Sequence, residues 1–240
     1  MSNPQATLEA VRQALRSEPR VKLESHPIHL AFDGDDLVME GEVADIAAKK
    51  LALERAAAVQ AGRGILDRLR VRPAERMADG HIRDLVCDAL SAETTFADCA
   101  IRAWVKDRLE TVQQPQAPVG LIEVKVADGV VTLDGDVPGL VQKRLAGVLA
   151  WWVPGSRDIV NGLGVTPPEE DNDGAITDAV RIALEKDPFV NAEQIRVSTR
   201  DSVVTLTGLV PTESEREMAE FDAWYVFGVD RVVNQITVRP

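Results

Sequence analysis

Three histidines are the first place to look for metal or proton chemistry in these 240 residues, and two of them form His26-Pro-Ile-His29. On an extended segment, residues at that spacing point to opposite faces, so the two rings cannot share an ion. They read as polar residues of an edge strand, and His81 stands alone near a helix start. Cys87 and Cys99 have no CxxC spacing, so they encode neither a zinc ribbon nor a disulfide framework, although a single bridge between them stays open. No serine or cysteine is paired with a base in a nucleophile pattern, and the abundant carboxylates read as solvated faces. Gly41, Gly135 and Gly208 stand singly, without the GxGxxG or Walker spacing that cradles phosphate. They are expected to be structural glycines, where another backbone comes close. The sequence therefore predicts no catalytic residue, no metal site, no cofactor and no enzymatic activity.

The residues that do ask for a partner are aromatic. Trp151-Trp152 and Trp224-Tyr225 occupy equivalent places in two similar helices, where a third similar helix has Ala57-Ala58. Ala146, Ala150 and Val153 follow i, i+4, i+7 spacing and define the sheet-facing stripe of their helix. By the same 100° step, Trp151 and Trp224 fall on roughly the opposite side. Tryptophan on an outward helix face marks either a docking surface or packing against a neighbouring copy. Lys143 and Arg144 stand beside Trp151-Trp152 and would make that helix the one suited to anionic lipid. Glu213, Glu215, Glu217, Glu220 and Asp222 around Trp224 would repel such a surface.

Composition narrows the partners further. A net charge of -12 and a pI near 4.8 oppose approach to phosphate backbones, so no nucleic acid is expected. The first twenty residues carry Glu9, Arg12, Arg16 and Glu18 at helical intervals without an apolar leader, and no long apolar run follows. That pattern leads us to expect a cytoplasmic protein.

Positioning these residues is the work of a repeat. Ile28 to Val71, Ile122 to Val165 and Ile195 to Val238 are each 44 residues long and superpose without a gap at offsets of 94 and 73. Seven positions are identical in all three, among them Gly41/Gly135/Gly208, Ala52/Ala146/Ala219 and Ala56/Ala150/Ala223; all seven are small or apolar, which points to packing. The first strand alternates with Ile28, Leu30 and Phe32, with Ile122, Val124 and Val126, and with Ile195, Val197 and Thr199. A sheet with one apolar face needs one covering layer, so the helices are expected on one side. Asp33-Gly34, Asp128-Gly129 and Asp201-Ser202 predict hairpin turns. Asp45 is a helix cap, Gly139 takes that place in the second copy, and Thr212-x-x-Glu215 is a capping box in the third.

A further amphipathic stretch precedes each segment: Leu8, Val11 and Leu15; Ile82, Leu85, Val86 and Ala89; Ile176, Val180 and Leu184. The expected class is α+β, with three tandem α-β-β-α-β units at 1–72, 78–166 and 174–240, each a three-stranded mixed sheet carrying two helices on one face. The second unit holds an insertion, Ala92 to Val112, expected to be helical, and then a Pro-containing loop to Gly120. Linkers are expected at Arg72 to Gly80 and at Thr166 to Gly174, whose acidic TPPEEDNDG run is unsuited to a core.

The run DGVVTLDGDV, the helix with Ala146 and Ala150, Val153-Pro-Gly155 and Asp158-Ile-Val-Asn161-x-Leu-x-Val165 resemble the BON domain, named for bacterial OsmY and nodulation proteins. The third copy matches through VVTLTGLV, Ala219, Ala223, Gly228-Val229 and Val232-Val-Asn234-x-Ile-x-Val238. The first is degenerate, with Leu-Val-Met-Glu-Gly41, Asp67 in place of the asparagine and Ala61 in place of the later glycine. The resemblance implies a stress-associated, non-enzymatic binding or scaffold protein that contacts a protein partner or itself through helix faces. It also implies two alternatives, a phospholipid membrane surface and a monovalent cation, potassium. Neither the leader of periplasmic relatives nor the LysM domain of the potassium-binding type is expected from this pattern.

Overall fold

Left-handed backbone at Gly34, Asp128-Gly129 and Asp201-Ser202 closes a hairpin in every copy, where the turn residues predicted it. The computed structural model describes residues 4–60 and 64–239, so Ala61 lies outside the described residues. The chain separates into two units, Met1–Arg72 and Pro73–Pro240, and the second holds two of the three repeats.

In the first unit, α1 (Pro4–Arg16), β1 (His29–Asp33), β2 (Asp36–Val43), α2 (Ile46–Gln60) and β3 (Ile65–Val71) follow the expected order. β1 and β2 pair antiparallel, and β3 returns beside β2 in parallel after the helical crossover, giving the order β1-β2-β3. Leu8, Val11 and Leu15 of α1 and Ala48, Ala52 and Ala56 of α2 pack on Leu30, Leu37, Met39 and Leu69. Asp45 caps α2 as expected, its Oδ1 accepting the Ala48 N–H at 2.7 Å.

The third repeat has the same plan: α5 (Asp173–Lys186), β10 (Ile195–Arg200), β11 (Val203–Val210), α6 (Glu213–Tyr225) and β12 (Arg231–Val238), in the order β10-β11-β12. Thr212 Oγ1 accepts the Glu215 N–H at 3.1 Å, but the box does not close. Glu215 is turned away and its Oε1 accepts the Asn191 N–H at 2.8 Å, tying the loop before β10 to α6.

The second repeat departs from expectation. Its elements are α3 (Asp79–Ala92), β4 (Cys99–Val105), β5 (Arg108–Gln113), β6 (Gly120–Ala127), β7 (Val130–Val137), α4 (Leu140–Trp152), β8 (Asp158–Asn161) and the short β9 (Gly164–Val165). The helix expected over Ala92 to Val112 is instead a hairpin, β4 and β5, turning at Lys106-Asp107 in left-handed backbone. The sheet is consequently six-stranded, not three-stranded, with β4 parallel to β6 and β5 at the edge. Ile101, Val105 and Leu109 are spaced i, i+4, i+8, which fits a helix stripe. Ile101 and Val105 also fit a strand in which Cys99, Ile101 and Ala103 face the core while Arg102 and Trp104 face out, and Leu109 lies on the next strand, across from Trp104. Docking on β6 decides between the two, because it pairs the β4 backbone and buries its inner face.

Two devices recur. Gly41, Gly135 and Gly208 have φ of 154°, 118° and 151°, and a Cβ there would lie 2.6, 2.2 and 2.1 Å from the carbonyl oxygens of Pro27, Leu121 and Gln194. Only glycine lets the backbone at the start of the preceding strand, or just ahead of it, approach so closely. The first residue of α3 and of α5 holds the hairpin turn of its own copy: Asp79 accepts N–H bonds from Asp128 and Gly129, and Asp173 from Asp201 and Ser202.

Candidate functional site: the joint between the second and third copies

Asn161 and Asn234 close the last strand onto the helix of their own copies. Each accepts the N–H two residues on through Oδ1 (Leu163, Ile236) and donates its amide to a helix carbonyl, Lys143 at 2.7 Å and Arg216 at 3.0 Å. In the first copy Asp67 accepts the Leu69 N–H in the same way but has no amide to donate. Lys49, which aligns with Lys143 and Arg216, supplies the missing hydrogens, its buried Nζ pairing with Asp67 at 3.0 Å and donating to the Leu69 carbonyl at 2.9 Å. The exchange that makes this copy look degenerate in sequence preserves the clamp by reversing donor and acceptor.

With the helices seated, their outer faces meet. Within Pro73–Pro240, α4 packs against both α5 and α6, so the faces away from the two sheets are turned toward each other. The helix geometry that puts Trp151 and Trp224 opposite the sheet-facing alanines holds, but that side is covered. Trp151 stacks on Tyr225, with ring centroids 5.4 Å apart and planes 16° apart. Trp152 packs against the cores of both copies and donates Nε1–H to Asp222 Oδ1 at 2.8 Å. Trp224 is 1% exposed, with its Nε1–H 3.4 Å from Glu220 Oε1. Trp151, Trp152 and Tyr225 therefore meet partners across the two copies, and Trp224 is buried beside Glu220 of its own helix.

The basic pair is also drawn in. Arg144 is 1% exposed, donating Nε–H to the Phe227 carbonyl at 2.9 Å and pairing with Asp171 at 2.5 Å. Lys143 Nζ sits 4.7 Å from the centre of the Phe227 ring, a cation–π contact. The acidic linker is therefore a strap: Glu169 caps α4 by accepting the Leu140 N–H, Asp171 pairs with Arg144, and Asn172 caps α5. Sequence reading missed this role, although carboxylates and asparagine just ahead of a helix are the expected signal for it.

Two carboxylates at matching helix ends complete the joint. Glu93 after α3 and Asp187 after α5 each accept the backbone N–H two residues on, Thr95 at 3.2 Å and Phe189 at 2.8 Å. Glu93 also receives Lys186 Nζ at 2.7 Å from the neighbouring copy. Burial pushes the Glu93 carboxyl up, but Lys186 and the Thr95 N–H and hydroxyl outweigh it and hold the group down at about 2. Asp222 is pushed up to about 8, chiefly by burial against the pull of the Trp152 N–H, with the Asp187 charge adding to the rise. Elsewhere, burial raises both thiols, Cys87 to about 11; both are free. Among the described residues, no group of three or more His, Cys, Asp or Glu is placed to hold a metal ion, and no helix is long and apolar enough to cross a membrane.

The BON domain family model matches residues 97–167 and 172–240, more than half of the chain. This chain belongs to the BON domain family. The osmotically-inducible protein Y of Escherichia coli (strain K12) is 32% identical over 148 residues, covering 59% of this chain and 73% of that relative. Two structures of CdsD, a structural protein of the Type III secretion system of Chlamydia trachomatis, one of its C-terminal domain, align over 100% and 97% of this chain and 100% and 92% of theirs. Their identities are 13% and 14% and both TM-scores are 0.26. Both matched BON domains lie in the Pro73–Pro240 unit, so the joint just described is a contact between two BON domains.

Proposed function

We propose that this chain is a stress-associated, non-enzymatic scaffold in which two BON domains are locked together by their helix faces and present the remaining surface to a protein partner or to a second copy. The observation that carries this reading is the use of Trp151, Trp152, Tyr225 and Arg144 in joining the two domains. The helix faces first contact the chain itself, and an external partner has to dock elsewhere. The stress association rests on the osmotic induction named for the Escherichia coli relative. The open face of the six-stranded sheet supports the docking role. The added hairpin widens that face, and Trp104 stands on it 38% exposed, across from Leu109 on β5.

Light scattering and cross-linking of the full chain test the proposal. Trp104→Ala is expected to abolish assembly or partner cross-links while leaving thermal stability within about 0.5 kcal/mol of wild type. Unchanged assembly in that variant would reject the sheet face as the contact. Titrating the same preparation with anionic vesicles and with potassium chloride probes the two alternatives that the family resemblance raises. The vesicle alternative is weakened by the burial of Arg144, which leaves that helix fewer charges for a lipid surface. The cytoplasmic location expected from the sequence belongs to this proposal and is checked by cell fractionation.

A further inference from the structure

Asp222 lies at the centre of the joint, 2% exposed, and two of its contacts are of opposite kinds. Its Oδ1 accepts the Trp152 N–H from α4, whereas its Oδ2 is buried with no hydrogen-bond partner among the described residues. The charged neighbour, just past the end of α5, is Asp187, itself buried and of the same sign. The nearest ion pair along α5, Lys186 with Glu93, is satisfied within itself and sits one residue away from Asp187. On α6 the adjoining acid Glu220 is engaged by the Asn234 amide of β12 and by the Trp224 N–H. No lysine or arginine is paired with Asp222 or with Asp187 among the described residues. A buried carboxyl whose second oxygen has no donor and whose charged neighbour is another carboxyl favours its protonated form.

We propose that Asp222 keeps a proton beside Asp187 and so forms a pH-sensitive latch on the joint between the two BON domains. With the proton in place, the Asp222 carboxyl donates through Oδ2 toward Asp187 and accepts from Trp152 through Oδ1, bridging α4, α5 and α6. Loss of the proton to solvent leaves a buried carboxylate beside a second group of the same sign. The joint then loosens, and the faces of Trp151, Trp152 and Tyr225 become available to solvent or to a partner. The inference concerns the coupling of the domains and holds whatever the scaffold binds.

The sign follows from linkage. In the open joint Asp222 is an ordinary solvated carboxyl with its pKa near 3.8, and closing raises it to about 8. The closed form therefore holds an extra proton between those values and loses its advantage as pH rises through that window, levelling off above it. The Glu93–Lys186 pair acts in the opposite sense and only below pH 4.5, so measurements from pH 5 upward report Asp222 alone of the two.

The test is acrylamide quenching of tryptophan emission from the full chain in sub-denaturing urea, from pH 5 to pH 9. The open-to-closed ratio of wild type is expected to rise by up to tenfold per pH unit and to level off above about pH 8. Asp222→Asn keeps an acceptor for Trp152 and gains an amide donor toward Asp187, so its profile should be flat. Asp187→Asn removes the like charge and should shorten the rise, with the plateau reached at lower pH; this second variant decides the matter if Asp222→Asn does not fold. A flat wild-type profile, or wild-type profiles in both variants, would overturn the latch.

Discussion

The unit Met1–Arg72 and the joined pair Pro73–Pro240 are built on one plan and differ in what their helices do with the outer face. At the place where the second and third copies have Trp151-Trp152 and Trp224-Tyr225, the first has Ala57-Ala58, both exposed. Inside the copy the plan is held constant, even where the residues change, as the Lys49–Asp67 pair shows in doing the work of Asn161 and Asn234. On the inner face one geometry is met by different residue pairs. On the outer face of the joined copies, aromatic side chains supply both bulk and N–H donors. The same division appears at the helix ends: Glu93 and Asp187 are equivalent in position, yet one meets a lysine and the other an aspartate.

Removing the largest buried contact should break this comparison most sharply. Trp224→Ala is expected to cost about 3–5 kcal/mol in urea unfolding of the Pro73–Pro240 transition and to leave the Met1–Arg72 transition in place. If both transitions moved together, the separation into two units would be wrong. A smaller loss, about 2 kcal/mol, is expected for Lys49→Ala, read in the Met1–Arg72 transition, because the Asp67 carboxylate and the Leu69 carbonyl each lose a charged donor. Lys49→Met should cost as much; a neutral result would show that Asp67 does not need the ammonium. Smallest is the acid limb of the joint. The lowered Glu93 contributes stability that is complete above pH 4.5 and is lost as pH falls toward about 2, and Glu93→Gln should remove that limb at a cost of about 1 kcal/mol at neutral pH. An unchanged acid limb in Glu93→Gln would assign it to other carboxylates.

Most of the plan could be read before any coordinates. The gap-free alignment placed the strands, the turns, the Asp45 cap and the three glycines correctly, because each depends on neighbours close in sequence or on a strict period of apolar residues. The insertion could not be read the same way. Ile101 and Val105 satisfy both a helical and a strand spacing, and only pairing with β6 selects between them. The candidate site was half legible. Helix periodicity turns Trp151 and Trp224 away from one sheet, but being away from one sheet does not say whether solvent or another helix lies beyond.

By itself, the sequence determined the inner architecture of each copy, since backbone hydrogen bonding and alternation of apolar side chains act over a few residues and admit few solutions. The tertiary structure alone decided what the outer faces do. Whether Arg144 is a surface charge or a buried strut, and whether Asp222 is a solvated acid or one that holds its proton, depends on how closely a second helix layer approaches. That approach removes water, and the removal of water turns ordinary residue types into a joint.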